Sequence, residues 1–160
     1  TWLETLVEIS KDTNYDWYAK NHPQFKGKFE KYQPYSHKLA ESIFARNSNI
    51  KILPSNTSHH QIIGEGIDFG LTVNGDVSYE YAYFGIPILT ATNNCSTSRY
   101  DFNIHSKNRE DYINKIKNLE NFKTSSRPDA SCFRKTARRP RKRPASIITI
   151  VPGVSVLRSL

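Results

Sequence analysis

Methionine is absent from all 160 residues, and cysteine occurs only twice, at Cys95 and Cys132. A natural chain ordinarily opens with Met, so the start at Thr1 is expected to follow a missing segment. Two cysteines 37 positions apart, with no CxxC spacing, exclude a disulfide scaffold and a thiolate metal cluster. They read as free thiols of a reducing compartment. Long apolar runs are also missing. Nothing approaches the ~20 residues that cross a bilayer, and Thr1-Trp2-Leu3-Glu4-Thr5-Leu6 lacks the basic and apolar regions of a secretion signal. Nor is there a Gly-x-Ser-x-Gly elbow or a glycine-rich phosphate loop. His59 and His60 are adjacent, point different ways on a helix and have no third ligand in reach, so no metal is expected.

Acidic residues are scarce in one place. Residues 123–160 hold ten of the 23 Lys and Arg but only one acid, Asp129. The remaining 122 residues hold thirteen basic and fourteen acidic side chains, so the net charge of +8 belongs to the C-terminal segment.

The body alternates helix and strand signals. Helices are expected over Thr1–Lys11, Pro34–Arg46, His59–Glu65, Asp76–Phe84 and Asn108–Phe122. Strands are expected at Asp16–Lys20, Ile50–Leu53, Ile67–Val73 and Pro87–Ala91. Ser58 stands where a helix cap is needed, and Gly66 where a helix stops. Thr92–Ser106 reads as a polar loop, within which Asp101 and His105 suit turn formation or contact with a sugar. Such alternation implies right-handed crossovers and an α/β, doubly wound, mostly parallel Rossmann-like sheet. Two domains of behaviour follow: 1–122 as the Rossmann-like body, and 123–160 as a basic, largely disordered tail. Disorder is expected up to Ala145, with Ile147–Val151 a short β-prone run. A frameshifted end explains the abrupt change of composition as well as a native basic tail does.

Two strand ends carry candidate chemistry. Lys20-Asn21-His22-Pro23 follows the first strand. Lys20 offers a point charge, and His22 a donor or a general acid toward a leaving phosphate. Asn74-Gly75-Asp76-Val77-Ser78 opens a helix after the third strand. There the amides of Asp76, Val77 and Ser78, with the Ser78 hydroxyl, are expected to face an anion. The helix dipole adds ~0.3–1 kcal/mol at an exposed site. Glu80, one turn on, is placed to accept two hydroxyls of a ribose. Asp76 opposes an anion if its carboxylate turns the same way, and alternatively serves as an N-cap.

Taken together, Lys20-Asn21-His22-Pro23, Leu53-Pro54 and Asn74–Glu80 followed by Gly85-Ile86-Pro87 resemble the C-terminal nucleotide-binding half of GT-B glycosyltransferases. The nearest likeness is to the bacterial capsule and surface-polysaccharide type. The resemblance covers about residues 1–122. It implies that Lys20, His22 and Pro23 contact the donor phosphate and that Gly75, Val77 and Ser78 hold the phosphates. It also implies that Glu80, with Gly85 and Pro87, holds the ribose. Asp76 departs from the small or hydroxyl residue usual there. The implied partners are a nucleotide-sugar donor and a saccharide acceptor. No cofactor is implied, and the setting is cytoplasmic, with peripheral attachment to the inner membrane face through the basic segment. One half of such a fold lacks the acceptor domain, so little turnover is expected of it alone. Two other functions fit parts of the sequence. One is a nucleotide-sugar 2-epimerase-like domain. The other is a module binding nucleic acid or an anionic surface through its basic segment. For that segment Phe133 is the one aromatic available for stacking, which argues against specific nucleic-acid recognition.

Overall fold

The computed structural model describes residues 2–21, 34–46, 49–95, 97–122 and 144–151. In chain order the elements are α1 (Trp2–Lys11), β1 (Asp16–Asn21), α2 (Pro34–Ala45), β2 (Ile50–Leu53), α3 (His59–Gly64) and β3 (Phe69–Thr72). They continue with α4 (Val77–Tyr83), β4 (Ile88–Thr90), β5 (Ile104–His105), α5 (Arg109–Lys117), a 3-10 turn (Leu119–Asn121) and β6 (Ser146–Val151). The six strands form one sheet in the order β2-β1-β6-β3-β4-β5, and every pair is parallel. The fold is therefore an α/β, Rossmann-like arrangement with helices on both faces.

Period-two alternation sorts the core into two halves. Trp17 and Ala19 of β1, Ile147 of β6, Leu71 of β3 and Leu89 of β4 face one side. There they meet Leu3, Leu6 and Ile9 of α1, Ala40 and Phe44 of α2, and Tyr112 and Ile116 of α5. Ile148 and Ile150 of β6 and Ile88 of β4 face the other side, against Ile62 of α3 and Tyr81 of α4, with Tyr18 packed alongside. One buried polar pair lies in the first half: the Trp2 indole donates to the Tyr112 hydroxyl at 3.1 Å.

The helix ends follow the expected chemistry. Ser58 caps α3 through a full capping box, its hydroxyl accepting from the Gln61 amide while the Gln61 side chain accepts from the Ser58 amide. Gly66 (φ 88°) and Gly85 (φ 69°) take the left-handed conformation just past α3 and α4. Ser58→Ala removes one half of that box from a six-residue helix. Chemical denaturation should report a loss of about 1 kcal/mol with an unchanged m-value.

Three expectations are corrected. The loop expected over Thr92–Ser106 contains β5, a two-residue edge strand whose Ile104 and His105 pair with Leu89 and Thr90. The helix expected over Asn108–Phe122 ends at Lys117 and finishes as a 3-10 turn, because Asn118 leaves the helical region at φ -123° and ψ 26°. Most consequentially, the sheet does not close at residue 122. Ser146–Val151 inserts between β1 and β3, pairing with both along its length. Ala145, expected to be disordered, is buried, and its carbonyl accepts from the Asp16 amide at 2.9 Å. The Asp68 carboxylate accepts from the Ser146 amide and fixes the start of the strand. Four β-branched residues in the run Ile147-Ile148-Thr149-Ile150 make it a fully buried strand, which outweighs the basic composition that precedes it. Residues 123–143, where most of the expected disorder falls, lie outside the described residues.

Candidate functional site at the carboxyl edge of the sheet

The chain crosses from β1 outward to β2, returns to β3, and then steps away through β4 and β5. The direction of winding reverses around β6. In parallel α/β sheets this reversal leaves a crevice at the carboxyl ends of the strands, where ligands bind. The residues at that edge are read from the register. Lys20 lies beside Leu53 on one side and Ile150 on the other. Thr72 lies beside Thr90, and Thr90 beside His105. One step past the pair Leu71–Thr149, Thr72 takes its place next to Ile150. One layer near the carboxyl edge thus carries Lys20, Ile150, Thr72, Thr90 and His105 in order across the sheet, with the pair Asn21–Val151 one step further on. The apolar layer beneath it is Tyr18, Ile148 and Ile88.

Lys20 is the unusual member. It is 1% exposed, and among the described residues its ammonium has one hydrogen bond, a long 3.4 Å contact to the Asn21 carbonyl. A lysine is almost never so buried without a counter-group. Burial pulls its pKa below the usual lysine value, and the Glu80 carboxylate pulls part of the way back up. The end of β1 and α4 belong to one packed cluster, in which Tyr18 and Ile150, beside Lys20, meet Val77 and Tyr81. His22 and Pro23 lie outside the described residues.

The α4 end of the site differs from its sequence reading. The helix begins at Val77 and runs for seven residues. Asp76 occupies the cap position in helical conformation, is exposed, and makes no side-chain cap bond. The Ser78 hydroxyl donates to the Gly75 carbonyl at 2.8 Å and the Ser78 amide donates to the same oxygen at 3.1 Å. Ser78 is buried and is spent on closing the turn, so neither of its donors is offered to a ligand. The amides of Asp76 and Val77 remain, with no backbone partner among the described residues. A β-carbon built on Gly75 would stand 4.0 Å from the Thr72 hydroxyl, which ties this turn to the polar row. Asn74 and Glu80 are exposed at the rim. A helix this short develops little dipole, so the positive charge of the site is supplied by Lys20.

Thr90 and His105 continue the row toward the sheet edge. The Thr90 hydroxyl lies 2.8 Å from His105 Nδ1 and 2.8 Å from the Thr92 carbonyl. Cys95 Sγ is 3.3 Å from the Thr97 hydroxyl and 3.8 Å from His105 Nδ1. His105 is therefore held inside a network of the loop and is not presented to a ligand.

On the far side of α4, His59, His60, Ile63, Glu80, Tyr83 and Phe84 line an open groove of about 390 Å³. His59 Nδ1 meets the buried Tyr81 hydroxyl at 3.1 Å, and His60 stands edge-on to Phe84 at 5.4 Å. Burial, chiefly, and the Glu80 charge push the Tyr81 phenol well above the usual tyrosine value, so it stays protonated. The two imidazoles are engaged by different aromatic neighbours, and no group of three metal-ligating side chains occurs among the described residues.

Two features of the site were not foreseen from sequence. One is the filling of the reversal point by β6. The other is an aromatic triad over the same edge, formed by Tyr79, Tyr100 and Phe102. The closely spaced aromatics Tyr100 and Phe102 were the available signal for the second.

The fold is a parallel α/β domain whose winding reverses around β6, with the buried Lys20 near the carboxyl end of β1 beside that point. Comparison of the chain with protein-family models, with curated proteins and with solved structures gave no match. Among the described residues no helix is long and apolar enough to cross a membrane.

Proposed function

We propose that this domain is the donor-binding half of a GT-B-type glycosyltransferase and holds a nucleotide-activated sugar. The observation that carries the reading is the buried Lys20 ammonium at the end of β1, which has one long hydrogen bond among the described residues. A cation in that setting gains most from an anion that fills the crevice and replaces the hydration it has lost. A diphosphate is such an anion. Its oxygens would take Lys20 from one side and the free amides of Asp76 and Val77 from the other. Glu80, exposed beside them, would accept the two ribose hydroxyls.

Transfer then breaks the bond between the anomeric carbon and the phosphate oxygen and forms a bond from that carbon to the oxygen of an acceptor hydroxyl, whose proton passes to a base of the acceptor-binding half. Charge accumulates on the departing phosphate, and Lys20 is placed to stabilise it. His22, two residues beyond Lys20, is proposed as the general acid toward that phosphate. The saccharide acceptor belongs to surface or capsular polysaccharide synthesis in this reading. The charge of residues 123–160 suits attachment to an anionic cytoplasmic leaflet.

An amide-resolved NMR titration of the whole chain with uridine diphosphate and with cytidine monophosphate tests the proposal. The expected result is saturable shifts at Lys20–His22 and Asn74–Val77. Shifts confined to other regions, or none at millimolar nucleotide, would overturn it.

A further inference from the structure

The groove between α3 and α4 takes no part in the donor reading apart from Glu80, and its lining is of one kind. His59, His60 and Ile63 come from α3, and Glu80, Tyr83 and Phe84 from α4 and its cap. Ile63 follows the two histidines by four and three positions, and Tyr83 and Phe84 follow Glu80 by three and four, so each set shares one helix face. Four of the six side chains are rings, one is aliphatic and one is an acid; none is lysine or arginine.

The rings are set at right angles. The His60 ring lies 5.4 Å from that of Phe84 with the planes at 90°, and the Tyr83 ring lies 5.2 Å from it at 89°. Perpendicular rings make the walls of a box, whereas a flat stack makes a single surface. His59 is fixed by its 3.1 Å contact with the buried Tyr81 hydroxyl. Tyr83 is 70% exposed, more than any other large apolar side chain among the described residues.

Charge decides which ligand such a box takes. The face of an aromatic ring is electrostatically negative, so several rings around one point attract a cation. Glu80 adds a full negative charge to the same lining. An anion meets repulsion from both. A bare metal ion lacks its ligands, since no group of three metal-ligating side chains occurs among the described residues. A weakly hydrated organic cation fits, with its methyl groups against the rings and its charge balanced by Glu80. The volume of about 390 Å³ lies at the small end of the range for small-molecule sites, roughly 300–1,000 Å³, and suits a trimethylammonium head on a short chain.

We propose that the α3–α4 groove binds a small quaternary ammonium compound, with His60, Tyr83 and Phe84 as aromatic walls and Glu80 as the counter-charge. The inference goes beyond the donor reading and stands without it. The two meet only at Glu80. A carboxylate that balances an organic cation is not free for a ribose, and the phosphates would then rest on Lys20 and the amides of Asp76 and Val77.

An amide- and side-chain-resolved NMR titration of the whole chain with choline chloride, against sodium chloride at equal ionic strength, tests the assignment. Choline should give saturable shifts at His60, Glu80, Tyr83 and Phe84. Dimethylbutanol, which has the shape of choline with carbon in place of the ammonium nitrogen, should bind about tenfold more weakly. Tyr83→Ala should weaken choline about threefold or more, and Tyr83→Phe, which keeps the ring, should not. Glu80→Gln should weaken choline and leave the alcohol unchanged. Both side chains are exposed, so an unchanged urea midpoint should accompany each variant. Equal binding of choline and dimethylbutanol would reduce the groove to an apolar surface and overturn the assignment. So would shifts that sodium chloride reproduces, or a choline affinity unmoved by Tyr83→Ala or by Glu80→Gln. Pyrophosphate added to the same sample reports on the Lys20 end separately: its failure to bind, with choline binding intact, would strike the donor reading and leave this one.

Discussion

Lys20→Met will abolish phosphate binding and, in the same protein, raise the free energy of unfolding. The first effect follows from charge. Lys20 is the one cation among the described residues placed by the sheet register in the layer near the carboxyl edge at the winding reversal. Removing a charge-assisted contact to a phosphate from a desolvated site costs at least ~2–3 kcal/mol, or about a hundredfold in affinity. The second effect follows from burial. The ammonium has left water for a layer that includes Ile150 and Leu53, with one long contact to a carbonyl in return. Methionine fills similar volume without that desolvation cost. Stability should therefore rise, by about 1–3 kcal/mol near neutral pH.

The pH dependence has a definite sign. The folded protein releases the Lys20 proton below 10.5, the ordinary value, so over that interval the unfolded chain binds more protons. Well below the lowered value the ammonium is charged in both states, and its burial cost is present in full. That cost fades as pH rises through the lowered value toward 10.5. The margin of Lys20→Met over wild type should be widest at neutral pH and narrow steadily under alkaline conditions. The comparison must be made as a difference between the two proteins. Burial raises Tyr81 and Tyr112 above the usual phenol value, and both lose stabilising influence as pH climbs through 10.0. Denaturation at several pH values, with pyrophosphate titrations alongside, checks both halves. A variant that loses both binding and stability would make Lys20 a structural residue.

Ile148→Asp will prevent cooperative folding. Ile148 is fully buried, packs with Ile88 and Tyr81, and belongs to a strand paired on both sides. The substitution discards an aliphatic side chain and buries a carboxylate in an apolar layer with Ile88, Tyr81 and Tyr18, one layer below Lys20. Each of these mechanisms lies in the severe tail of point substitutions, together exceeding about 4–5 kcal/mol. Domains of this size hold roughly 5–15 kcal/mol in all. Circular dichroism and a urea titration should find no sharp transition, or a midpoint moved to very low denaturant. Ile52→Asp is the matched control. Ile52 lies on β2, an outer strand of the sheet, and is 39% exposed. The same chemical change there should stay within ~0.5 kcal/mol. Equal effects at the two positions would mean that residues 146–151 do not occupy the centre of the sheet.

Much of this architecture could be read from the residues. The strands Ile50–Leu53 and Asp16–Lys20 and the capped start of α3 carried local signals strong enough to stand alone. Pro54, Ser58 and Gly66 punctuate them. What local patterns lack is pairing. Nothing in Ile147–Val151 says that its neighbours are residues 16–21 and 69–71, because β-strand identity is decided by contacts distant in the chain. The preceding basic stretch hid the strand further, since composition averaged over a window dilutes four apolar positions with ten charges. Site residues show a similar split. Lys20 and Glu80 were singled out by residue type and place in the chain, and the Glu80 charge acts on the Lys20 ammonium. Ser78 was not. Its hydroxyl reaches the Gly75 carbonyl three residues back, a local competition for hydrogen bonds that Ser commonly wins at helix starts. The triad was unreadable as a unit, because Tyr79 meets Tyr100 and Phe102 only after β4 has been placed.

The position of β6 has a consequence for how the protein is made. β1 and β3 do not pair with each other; each pairs with residues that leave the ribosome more than 70 positions after β3. Until those residues emerge, a nascent chain carries two parallel half-sheets, each with an open apolar border. Such borders are templates for wrong partners, and joining them late makes for slow closure over a long loop. The inner borders of β1 and β3 are therefore covered only once residues 146–151 are present to pair with both.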